Sequence, residues 1–588
     1  MSAGERPSIN PLSHEAVGLP RMLPEELDLD ADILRVLEKI KGRVVEQRLL
    51  DVARVGGLPY PPTEQLPERY AVNRLALSEE DINARNDVIK LMMHKAGMSM
   101  IEHPLGLIGR FEGSQPELTP LFIMSHTDSV PNGDMYDGTL GVVGGIETVR
   151  AIKESGIVPK RPIFVLALTG EESARFGLAL FGSRGMFHGL TDKELQACDG
   201  LGVTIEEALG PEGSRLASMP FFRLNDKFFP TPHAVIELHV EQSSDLEKDG
   251  VDLGIVESIA APVRYTIHIG DRELEPDEIE YQHKKYLELT VNGKADHSGA
   301  TPMGEENRAD GLVEMAIVLS RLMEEEMDRV QTISVGEIDI LSGAINKIPG
   351  LTTANIRLAG QSEQQVDEAL RLLQDRVTLS NTYREGRQTL FDAQAMELRE
   401  VDDLHDSQFF PGSTIIPRQL AAFGLIIATR NEATSRRNEH VVGTIGTFSL
   451  DSSGMIEMKL DVRGIDKHPR DLTATWIREA ARRLNSKHGV RIFFNDLPGN
   501  DDPVAMDAGL VKTAAEIIDR YGIGSSKVMF SAAGHDAQNA ARAGIPAVML
   551  FCPSRNGGKA HHPDAYSSPE DIEKGVKALA ALTMRLAA

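Results

Sequence analysis

The sequence predicts an α/β protein: a mostly parallel catalytic sheet flanked by helices, with an inserted α+β lid or dimerisation domain. Three observations favour this fold. Short apolar runs alternate with helices in both outer parts of the chain, as in parallel sheets. The middle has strands with one polar face and long polar helices, which is typical of an open antiparallel sheet. The 588 residues also exceed what one compact core usually holds, so at least two domains are expected.

The composition excludes several classes of function. The net charge of −26 makes nucleic acid and anionic membranes unfavourable partners. No apolar run is long enough to cross a bilayer, and the first residues lack the apolar region of a signal peptide. Cys198 and Cys552 are the only cysteines, too few for a disulfide framework or a cysteine-rich zinc site. We therefore expect a soluble cytoplasmic protein.

Residues 1–75 are predicted to form an N-terminal arm and a helix. Residues 1–30 are rich in Pro, Glu and Asp and indicate a weakly ordered arm. Apolar residues recur at three- and four-residue spacing over Ile33–Val55, which predicts a helix. A second helix is expected over Ser78–Gly97, because Ser78 and the acidic residues after it form a good N-terminal signal.

Residues 76–262 and 495–588 are predicted to form the two parts of the catalytic domain. Helices are expected at Leu140–Glu154 and Gly509–Tyr521. The run Ala234–Gln242 alternates, so that His239 projects from a polar face of a strand. Uniformly apolar runs predict buried strands at Leu121–Met124, Pro162–Leu168, Val203–Ile205, Val528–Phe530 and Pro546–Phe551.

Residues 263–494 are predicted to form the inserted domain, which is larger than a simple lid requires. Two of its stretches are similar, Val335-Gly336-Glu337-Ile338 and Val442-Gly443-Thr444-Ile445. Either a degenerate duplication or an insertion between the two stretches would account for this similarity. Predicted strands and helices in this region are Lys285–Val291, Thr332–Ile340, Met455–Val462, Ala309–Glu326, Ser362–Val377 and Arg470–Lys487.

Polar residues follow four of the predicted strands directly. Because ligands bind beyond the carboxyl ends of strands in open α/β sheets, we expect these residues to share a crevice. The four runs are Ser125-His126-Thr127-Asp128, Thr169-Gly170-Glu171-Glu172, Ser531-Ala532-Ala533-Gly534-His535-Asp536 and Gly558-Lys559-Ala560-His561-His562-Pro563.

Histidines and carboxylates without cysteine suit Zn²⁺, Mn²⁺, Co²⁺ or Ni²⁺. His126 and Asp128 have the spacing of a metal ligand and the carboxylate that orients it. Asp137, directly before Gly138, could bridge two ions. In the adjacent pair Glu171-Glu172, one carboxylate could bind metal while the other takes a proton from water.

The motifs resemble a known family, the dinuclear metallohydrolases that include N-carbamoyl-L-amino-acid amidohydrolase, allantoate amidohydrolase and some β-ureidopropionases, related to the aminoacylases and metallo-carboxypeptidases. The resemblance extends over most of the chain from about Arg74 onward, with the motifs in the family's order. The matching runs are RLALSEEDINAR, SHTDSVPNGDMYDGTLGV, TGEESARFG, ELHVEQSSDLEKDG, GKADHSGATPM, AGHDA and GGKAHHPDAYS.

The resemblance implies two divalent metal ions per chain, with zinc as the expected ion. It implies that His126 and His239 hold one ion and that Glu172 and His561 hold the other, with Asp137 as the bridge. His561 is preferred over its neighbour His562 from the motif alignment.

The resemblance also implies the catalytic residues. Glu171 would be the general base, and Asp128 the carboxylate behind the ligands. His297 in the lid would stabilise the tetrahedral intermediate, often across a dimer interface, so a homodimer through the lid is expected.

Substrate contacts are implied for Gln242 and Asn346. The arginine that binds the substrate carboxylate is either Arg357 or Arg463, of which Arg463 fits the family's strand pattern better. His535 is an open candidate: it is equally a core or helix-start residue or a substrate contact.

The leading hypothesis is hydrolysis of a C–N bond in an N-carbamoyl or ureido amino acid, a small-molecule substrate. Gln242-Ser243 replaces the usual Gln-Gly, and the lid is enlarged, so the substrate itself stays open. One alternative keeps the metal site but acts on N-acyl amino acids or dipeptides. A second is a non-catalytic homologue that acts as a binding protein.

Overall fold

The computed structural model describes residues 29–64, 68–221, 231–270, 282–299, 301–326, 332–341, 343–384, 395–401, 404–405, 408–409, 412–497 and 500–588. Most of the predicted N-terminal arm lies outside the described residues. Two helices, α1 (Leu29–Lys39) and α2 (Gly42–Ala53), replace the single helix expected over Ile33–Val55. The chain bends between them because α2 begins against the C-terminal helix α17 (Pro569–Ala587), where the Gly42 amide donates a 2.9 Å hydrogen bond to Glu573.

The helix predicted over Ser78–Gly97 is confirmed. It consists of α3 (Glu79–Asn83), a π-helical segment (Ala84–Ile89) and α4 (Lys90–Ala96). The Ser78 side chain caps α3 by accepting a hydrogen bond from the Asp81 amide. A short hairpin of β1 (Gly57–Pro59) and β2 (Tyr70–Val72) precedes this segment.

A nine-stranded sheet forms the centre of the catalytic domain in the described part of the chain. Its order is β19-β8-β21-β7-β5-β6-β4-β3, and β20 pairs with β8. The strands are β3 (Ser99–His103), β4 (Gly106–Phe111), β5 (Leu121–His126), β6 (Ile163–Leu168), β7 (Ala234–Val240), β8 (Leu253–Ile259), β19 (Val504–Ala505), β20 (Ser526–Ser531) and β21 (Ala547–Cys552).

The middle of this sheet is parallel, as predicted, while its edges are antiparallel. Strands β21, β7, β5 and β6 run parallel, whereas β4, β3 and β19 pair antiparallel with their neighbours. Every residue of β5, β6, β7 and β21 is buried. The polar face of β7, which includes His239, is therefore buried inside the protein.

Helices cover both faces of the sheet. The predicted helices over Leu140–Glu154 and Gly509–Tyr521 are present as α5 (Thr139–Glu154) and α14 (Ala508–Arg520). The remaining helices of this domain are α6 (Phe181–Phe187), α7 (Asp192–Leu195), α8 (Ile205–Ala217), α9 (Asp245–Asp249), α15 (Ala537–Arg542) and the short α16 (Arg555–Gly558).

The strand predicted over Val203–Ile205 is wrong, because this segment begins helix α8. Thr204 caps the helix by accepting a hydrogen bond from the Glu207 amide, and the Glu207 carboxylate accepts one from the Thr204 amide at 2.9 Å. This reciprocal pair is a capping box, and its Thr-x-x-Glu signature outweighs the apolar character of Val203 and Ile205.

The inserted domain contains two four-stranded antiparallel sheets and a hydrophobic core of its own. One sheet has the order β12-β14-β10-β15, from strands β12 (Thr332–Ile340), β14 (Leu351–Gly360), β10 (His283–Asn292) and β15 (Met396–Glu400). The other has the order β16-β17-β9-β18, from β16 (Val441–Leu450), β17 (Ile456–Gly464), β9 (Ala261–Ile269) and β18 (Ile492–Asp496).

Four helices and a small ribbon complete this domain. The helices are α10 (Gly311–Glu326), α11 (Glu363–Arg384), α12 (Gly412–Ser435) and α13 (Lys467–His488). The ribbon pairs β11 (Asp296–His297) with β13 (Lys347–Ile348). None of the helices in the described residues is long and apolar enough to span a membrane.

Candidate metal centre and active-site cavity

Two buried histidines lie side by side at the carboxyl ends of neighbouring parallel strands. His126 is the last residue of β5, and His239 lies near the end of β7. Their ring centroids are 5.7 Å apart. Each Nδ1 lies within hydrogen-bond distance of a backbone oxygen, that of Asp128 at 3.0 Å for His126 and that of Val240 at 2.8 Å for His239. Both Nε2 atoms are thereby directed to the same side, towards Asp137.

Asp137 is fixed by the turn that leads into α5. The Asp134 carboxylate accepts hydrogen bonds from the amides of Tyr136 and Asp137, both at 2.9 Å. Gly138 follows with a positive φ of 62°, and a Cβ there would lie 2.3 Å from the His126 ring. Only glycine fits this position, because both the backbone conformation and the close approach of the imidazole disfavour a side chain.

Glu171 and Glu172 follow β6 in a loop that Asp128 holds. The Asp128 carboxylate accepts hydrogen bonds from the amides of Gly170 at 2.8 Å, Glu171 at 3.3 Å and Glu172 at 3.1 Å. This differs from the predicted role of Asp128, because its carboxylate lies 3.7 Å from His126 Nδ1, beyond hydrogen-bond distance. Asp128 orients His126 with its backbone oxygen and positions the two glutamates with its side chain.

His561 enters the cluster from the loop after α16. Its Nε2 lies 3.1 Å from Asp137 Oδ2 and 3.0 Å from Glu172 Oε1. Its backbone has a φ of 55°, a conformation that non-glycine residues adopt only when the surroundings enforce it. The neighbouring His562 points away, with half of its side chain exposed and Asp564 as its nearest acidic partner.

Asp137 links two groups of possible ligands, one on each carboxylate oxygen. Its Oδ1 lies 3.5 Å from His126 Nε2 and 3.1 Å from His239 Nε2. Its Oδ2 faces His561, as given above, and Glu172 stands on the same side. The five side chains therefore form two three-residue groups that share Asp137, each with its ligand atoms within 4.8 Å of one another, and all but the half-buried His561 are buried.

The electrostatics of the cluster fit divalent cations. Burial opposes protonation of His126 and His561, but the carboxylates around them outweigh burial and raise both pKa values well above the usual value. The cluster thus attracts positive charge. Within the described residues, neither His126 Nε2 nor Asp137 Oδ1 has a hydrogen-bond partner, so both are available as ligand atoms. Nitrogen and oxygen donors without thiolate suit zinc and its neighbours.

Glu171 lies beside the group of His126, His239 and Asp137, but it belongs to neither of the two ligand groups. Its Oε2 lies 3.9 Å from His126 Nε2. Burial is the main cause that raises the pKa of this carboxyl well above its usual value, and the nearby Glu172 adds to it. A carboxylate with a raised pKa is a better proton acceptor near neutral pH.

An open cavity lies directly over the cluster. The catalytic domain contributes Glu171, Glu172 and His561 to its wall. The lining side chains with a predicted substrate-side role are Gln242, His297, Asn346 and Arg463.

These predicted substrate-side residues are held in defined positions. Gln242 Nε2 donates a 3.1 Å hydrogen bond to Asp137. The His297 ring lies 5.3 Å from that of His561. Burial, with Arg463 and His561, lowers the pKa of His297 well below the usual value, so its imidazole is neutral.

Two predicted substrate contacts do not line this cavity. Arg357 lies in the inserted domain against Phe409, with its guanidinium carbon 5.4 Å from the ring centroid. His535 lies behind His239, with ring centroids 4.5 Å apart, and its Nε2 is 2.9 Å from Ser531 Oγ. His535 was a candidate substrate contact because it follows a strand directly. Its ring instead packs between His239 and Phe551.

Sequence reasoning missed Arg184 and Arg264, which line the cavity together with Arg463. Arg264 on β9 pairs in register with Asp461 on β17, and its Nε donates a 3.1 Å hydrogen bond to that carboxylate. Arg463 Nε also donates to Asp461, at 3.0 Å. Burial opposes ionisation of Asp461, but the two arginines outweigh it and lower the pKa of this carboxyl. One carboxylate thus pairs with two arginines, so these three side chains together carry a net positive charge.

Comparisons with known proteins identify the family of the chain. The sequence matches Peptidase family M20/M25/M40 over residues 122–585. It is 34% identical over 312 residues to an N-carbamoyl-L-amino acid amidohydrolase of Geobacillus stearothermophilus, covering 53% of this chain and 67% of that protein. It is 26% identical to a ureidoglycolate hydrolase of Arabidopsis thaliana, covering 88% of this chain and 82% of that protein.

A further relative is the allantoate amidohydrolase of Bacillus subtilis, 25% identical, with 88% of this chain and 93% of that protein covered. Among solved structures, an amidase of the hydantoinase/carbamoylase family from Burkholderia multivorans superposes with a TM-score of 0.53 and 22% identity, over 93% of this chain and 98% of that one. That structural likeness supports the fold. The family match covers well over half of the sequence, and the chain therefore belongs to Peptidase family M20/M25/M40.

Proposed function

We propose that the chain is a metal-dependent amidohydrolase that cleaves a linear amide or ureido C–N bond of an N-carbamoyl or ureido-substituted amino acid. The observation that carries this proposal is one cavity with an acidic histidine–carboxylate cluster at its floor and two arginines, Arg264 and Arg463, in its wall. Such a cavity suits a small substrate with a carboxylate at one end and a polar carbonyl at the other. N-carbamoyl and ureido substrates appear in the names of the relatives.

His126, His239 and Asp137 would hold one cation, and Glu172, His561 and Asp137 the other, with zinc as the expected ion. Bound cations would polarise the substrate carbonyl and make water more acidic. Glu171 stands next to the ligands, and among the described residues its ion-pair contact is the one with His126 at 3.9 Å. In this proposal Glu171 takes a proton from water and returns it to the leaving nitrogen.

The wall opposite the cluster would orient the substrate. Arg463 and Arg264 are held rigidly by Asp461, so they lose little side-chain freedom on binding a carboxylate. His297 is neutral and buried, and would donate a hydrogen bond to the carbonyl oxygen as negative charge develops there. Gln242 and Asn346 line the same space and would bind the polar atoms of the carbamoyl or ureido group.

The reducing cytoplasm is the compartment we propose. Both cysteines are free thiols: Cys198 is exposed and Cys552 is buried. An exposed thiol persists in a reducing compartment.

A substrate panel tests the proposed reaction. The metal-loaded protein is assayed with N-carbamoyl amino acids, ureidoglycolate, allantoate, N-acyl amino acids and dipeptides, and ammonia and free amino acid are both measured. We expect ammonia release from one of the carbamoyl or ureido substrates. Free amino acid from N-acyl substrates or dipeptides alone would reassign the enzyme as a deacylase or dipeptidase. Cation binding without turnover of any substrate would favour a binding protein.

Glu171→Gln tests the assignment of the base. This variant should bind the same number of cations as the wild type while its kcat falls about 10²- to 10⁴-fold. Glu172→Gln is the matched control: it changes the neighbouring carboxylate by the same atoms, but should lower cation content. Undiminished kcat in Glu171→Gln would remove Glu171 from the mechanism.

A further inference from the structure

The two sheets of the inserted domain belong to two units with the same order of elements. The outer unit consists of β9, α12, β16, β17, α13 and β18, and the inner unit of β10, α10, β12, β14, α11 and β15. Each unit thus runs strand, helix, strand, strand, helix, strand. The inner unit is inserted whole between β9 and α12 of the outer unit. This arrangement has a feature of each explanation suggested by the sequence: the two units share an order of elements, and one lies within the other.

The two units also share their sheet topology. In each sheet the spatial order is the second, third, first and fourth strand of the unit, and all pairings are antiparallel. The second strand of each has a bulge that follows an apolar residue, Val335 in the inner unit and Ile445 in the outer unit. Gly336 and Gly446 come directly after these residues.

The bulge gives a structural alignment of the two units, in which Val335 corresponds to Ile445 and its stretch to Ile445-Gly446-Thr447-Phe448. The two candidate arginines lie at different distances from the bulge. Arg357 pairs with Ser334, one residue before Val335, whereas Arg463 pairs with Val442, three residues before Ile445.

The two units pack against each other as parts of one body. Helix α10 of the inner unit packs on α12 of the outer unit, and both contribute to the same hydrophobic core. Edge strand β16 meets the loop after β12 at Gly446, where a Cβ would lie 2.0 Å from the backbone oxygen of Ala344. Arg308 of the inner unit, itself buried, donates a 2.6 Å hydrogen bond to Thr444 of the outer unit.

Each unit supplies different residues to the cavity. The inner unit provides His297 and Asn346 on the two sides of the β11–β13 ribbon, where the Ser298 amide donates a 2.9 Å hydrogen bond to the Asn346 backbone oxygen. The outer unit provides Arg264 and Arg463. The two contributions are in contact, because a Cβ on Gly299 would lie 2.7 Å from Arg463 Cδ.

We propose that the inner unit is a covalently attached second copy of the outer unit that completes the active site of its own chain. The inference rests on the proposed function and specifies which part of the molecule supplies His297 and Asn346. A lid joined through the backbone is present at a fixed effective concentration, so the site needs no second chain. The homodimer through the lid, which the sequence resemblance implies, is then dispensable for catalysis.

Pairwise complementation of two inactive variants tests this proposal. Glu171→Gln lacks the base but has an intact inner unit, and His297→Ala lacks the inner-unit histidine but has an intact base. The two chains are co-expressed with different tags, and the mixed population is assayed. If each chain completes its own active site, the mixed population should show no more activity than the average of the two variants measured alone.

Completion by a partner chain predicts a different result. In that case half of randomly formed dimers are mixed, and each mixed dimer has one intact site, so about a quarter of wild-type activity returns. Such a recovery would overturn the proposal. The pair Glu171→Gln and Asn346→Ala repeats the test with the other inner-unit residue, in case His297→Ala folds poorly.

Two further measurements separate this inference from the proposed function. The specific activity of the wild type should stay constant over a wide dilution range in which sedimentation reports a mass of 64.3 kDa, that of one chain. Loss of activity in step with conversion to that mass would overturn the single-chain site while leaving the reaction intact. Full activity of either single variant would instead count against the residue roles in the proposed function.

Discussion

Asp137 Oδ2 lies 3.1 Å from His561 Nε2, and this contact joins the two parts of the catalytic domain that the inserted domain separates in sequence. The same carboxylate meets His239 through its other oxygen. A single aspartate thereby connects ligands from β7 and from the loop after α16. The contact makes the metal centre dependent on the tertiary fold of the whole catalytic domain.

His561→Ala should lose one of the cations, because His561 contacts both Asp137 and Glu172. The expected content is about one cation per chain, with kcat strongly reduced. His562→Ala is the matched control, since that ring is half exposed and faces Asp564. Metal analysis by mass spectrometry checks both. Equal cation loss in the two variants would contradict the assignment of His561.

Gly138→Ala should abolish binding at the first group of ligands, because the added methyl group would lie 2.3 Å from the His126 ring. Gly177→Ala is the control: Gly177 also has a positive φ, of 68°, but open space around its Cβ position. Gly177→Ala should lose about 1–2 kcal/mol of stability from backbone strain. Gly138→Ala should lose more, because the clash with His126 adds to the strain. Only Gly138→Ala should lose cations. Cation loss in Gly177→Ala as well would show that strain, and not the clash, is responsible.

Asp128→Asn should displace the loop of Glu171 and Glu172. The asparagine NH₂ would face backbone amides that now donate to the carboxylate. We expect about 1–3 kcal/mol less stability in urea unfolding, from buried donors without acceptors. Cation affinity and kcat should fall with it. Wild-type stability would mean that these three hydrogen bonds contribute little.

Arg463→Lys should raise KM for a carboxylate substrate about 10- to 100-fold, because a lysine cannot reproduce two directed hydrogen bonds from a planar group. Arg357→Lys is the matched change in the corresponding strand of the inner unit, away from the cavity, and should leave KM unchanged. Steady-state kinetics on both variants decides between the two arginines. A KM increase confined to Arg357→Lys would reverse the assignment.

Local sequence patterns were sufficient to predict which site residues follow the buried strands. His126 and Glu172 follow uniformly apolar runs, and the carboxyl ends of parallel strands meet at one edge of a sheet, so their convergence follows from the pattern. The same argument fails for His535, because position after a strand does not fix the direction of a side chain. Its ring lies behind His239 instead of in the cavity.

The lid residues required information that no local pattern contains. Arg264 faces Asp461 only because β9 pairs with β17, a strand that follows the whole inner unit in sequence. Arg463 lines the cavity and Arg357 lies against Phe409, although each belongs to the third strand of its unit. The register of strands distant in sequence is set by tertiary packing, and a one-residue change moves a side chain to the opposite face.

The number of divalent cations bound per chain is decisive for the two ligand groups that share Asp137. The protein is stripped with a chelator, reloaded with zinc, freed of excess metal and analysed by mass spectrometry against protein concentration. We predict about two zinc ions per wild-type chain and a parallel loss of both in Asp137→Ala, since Asp137 belongs to both ligand groups. A wild-type chain that retains no zinc, or an Asp137→Ala chain that retains two ions, would contradict it.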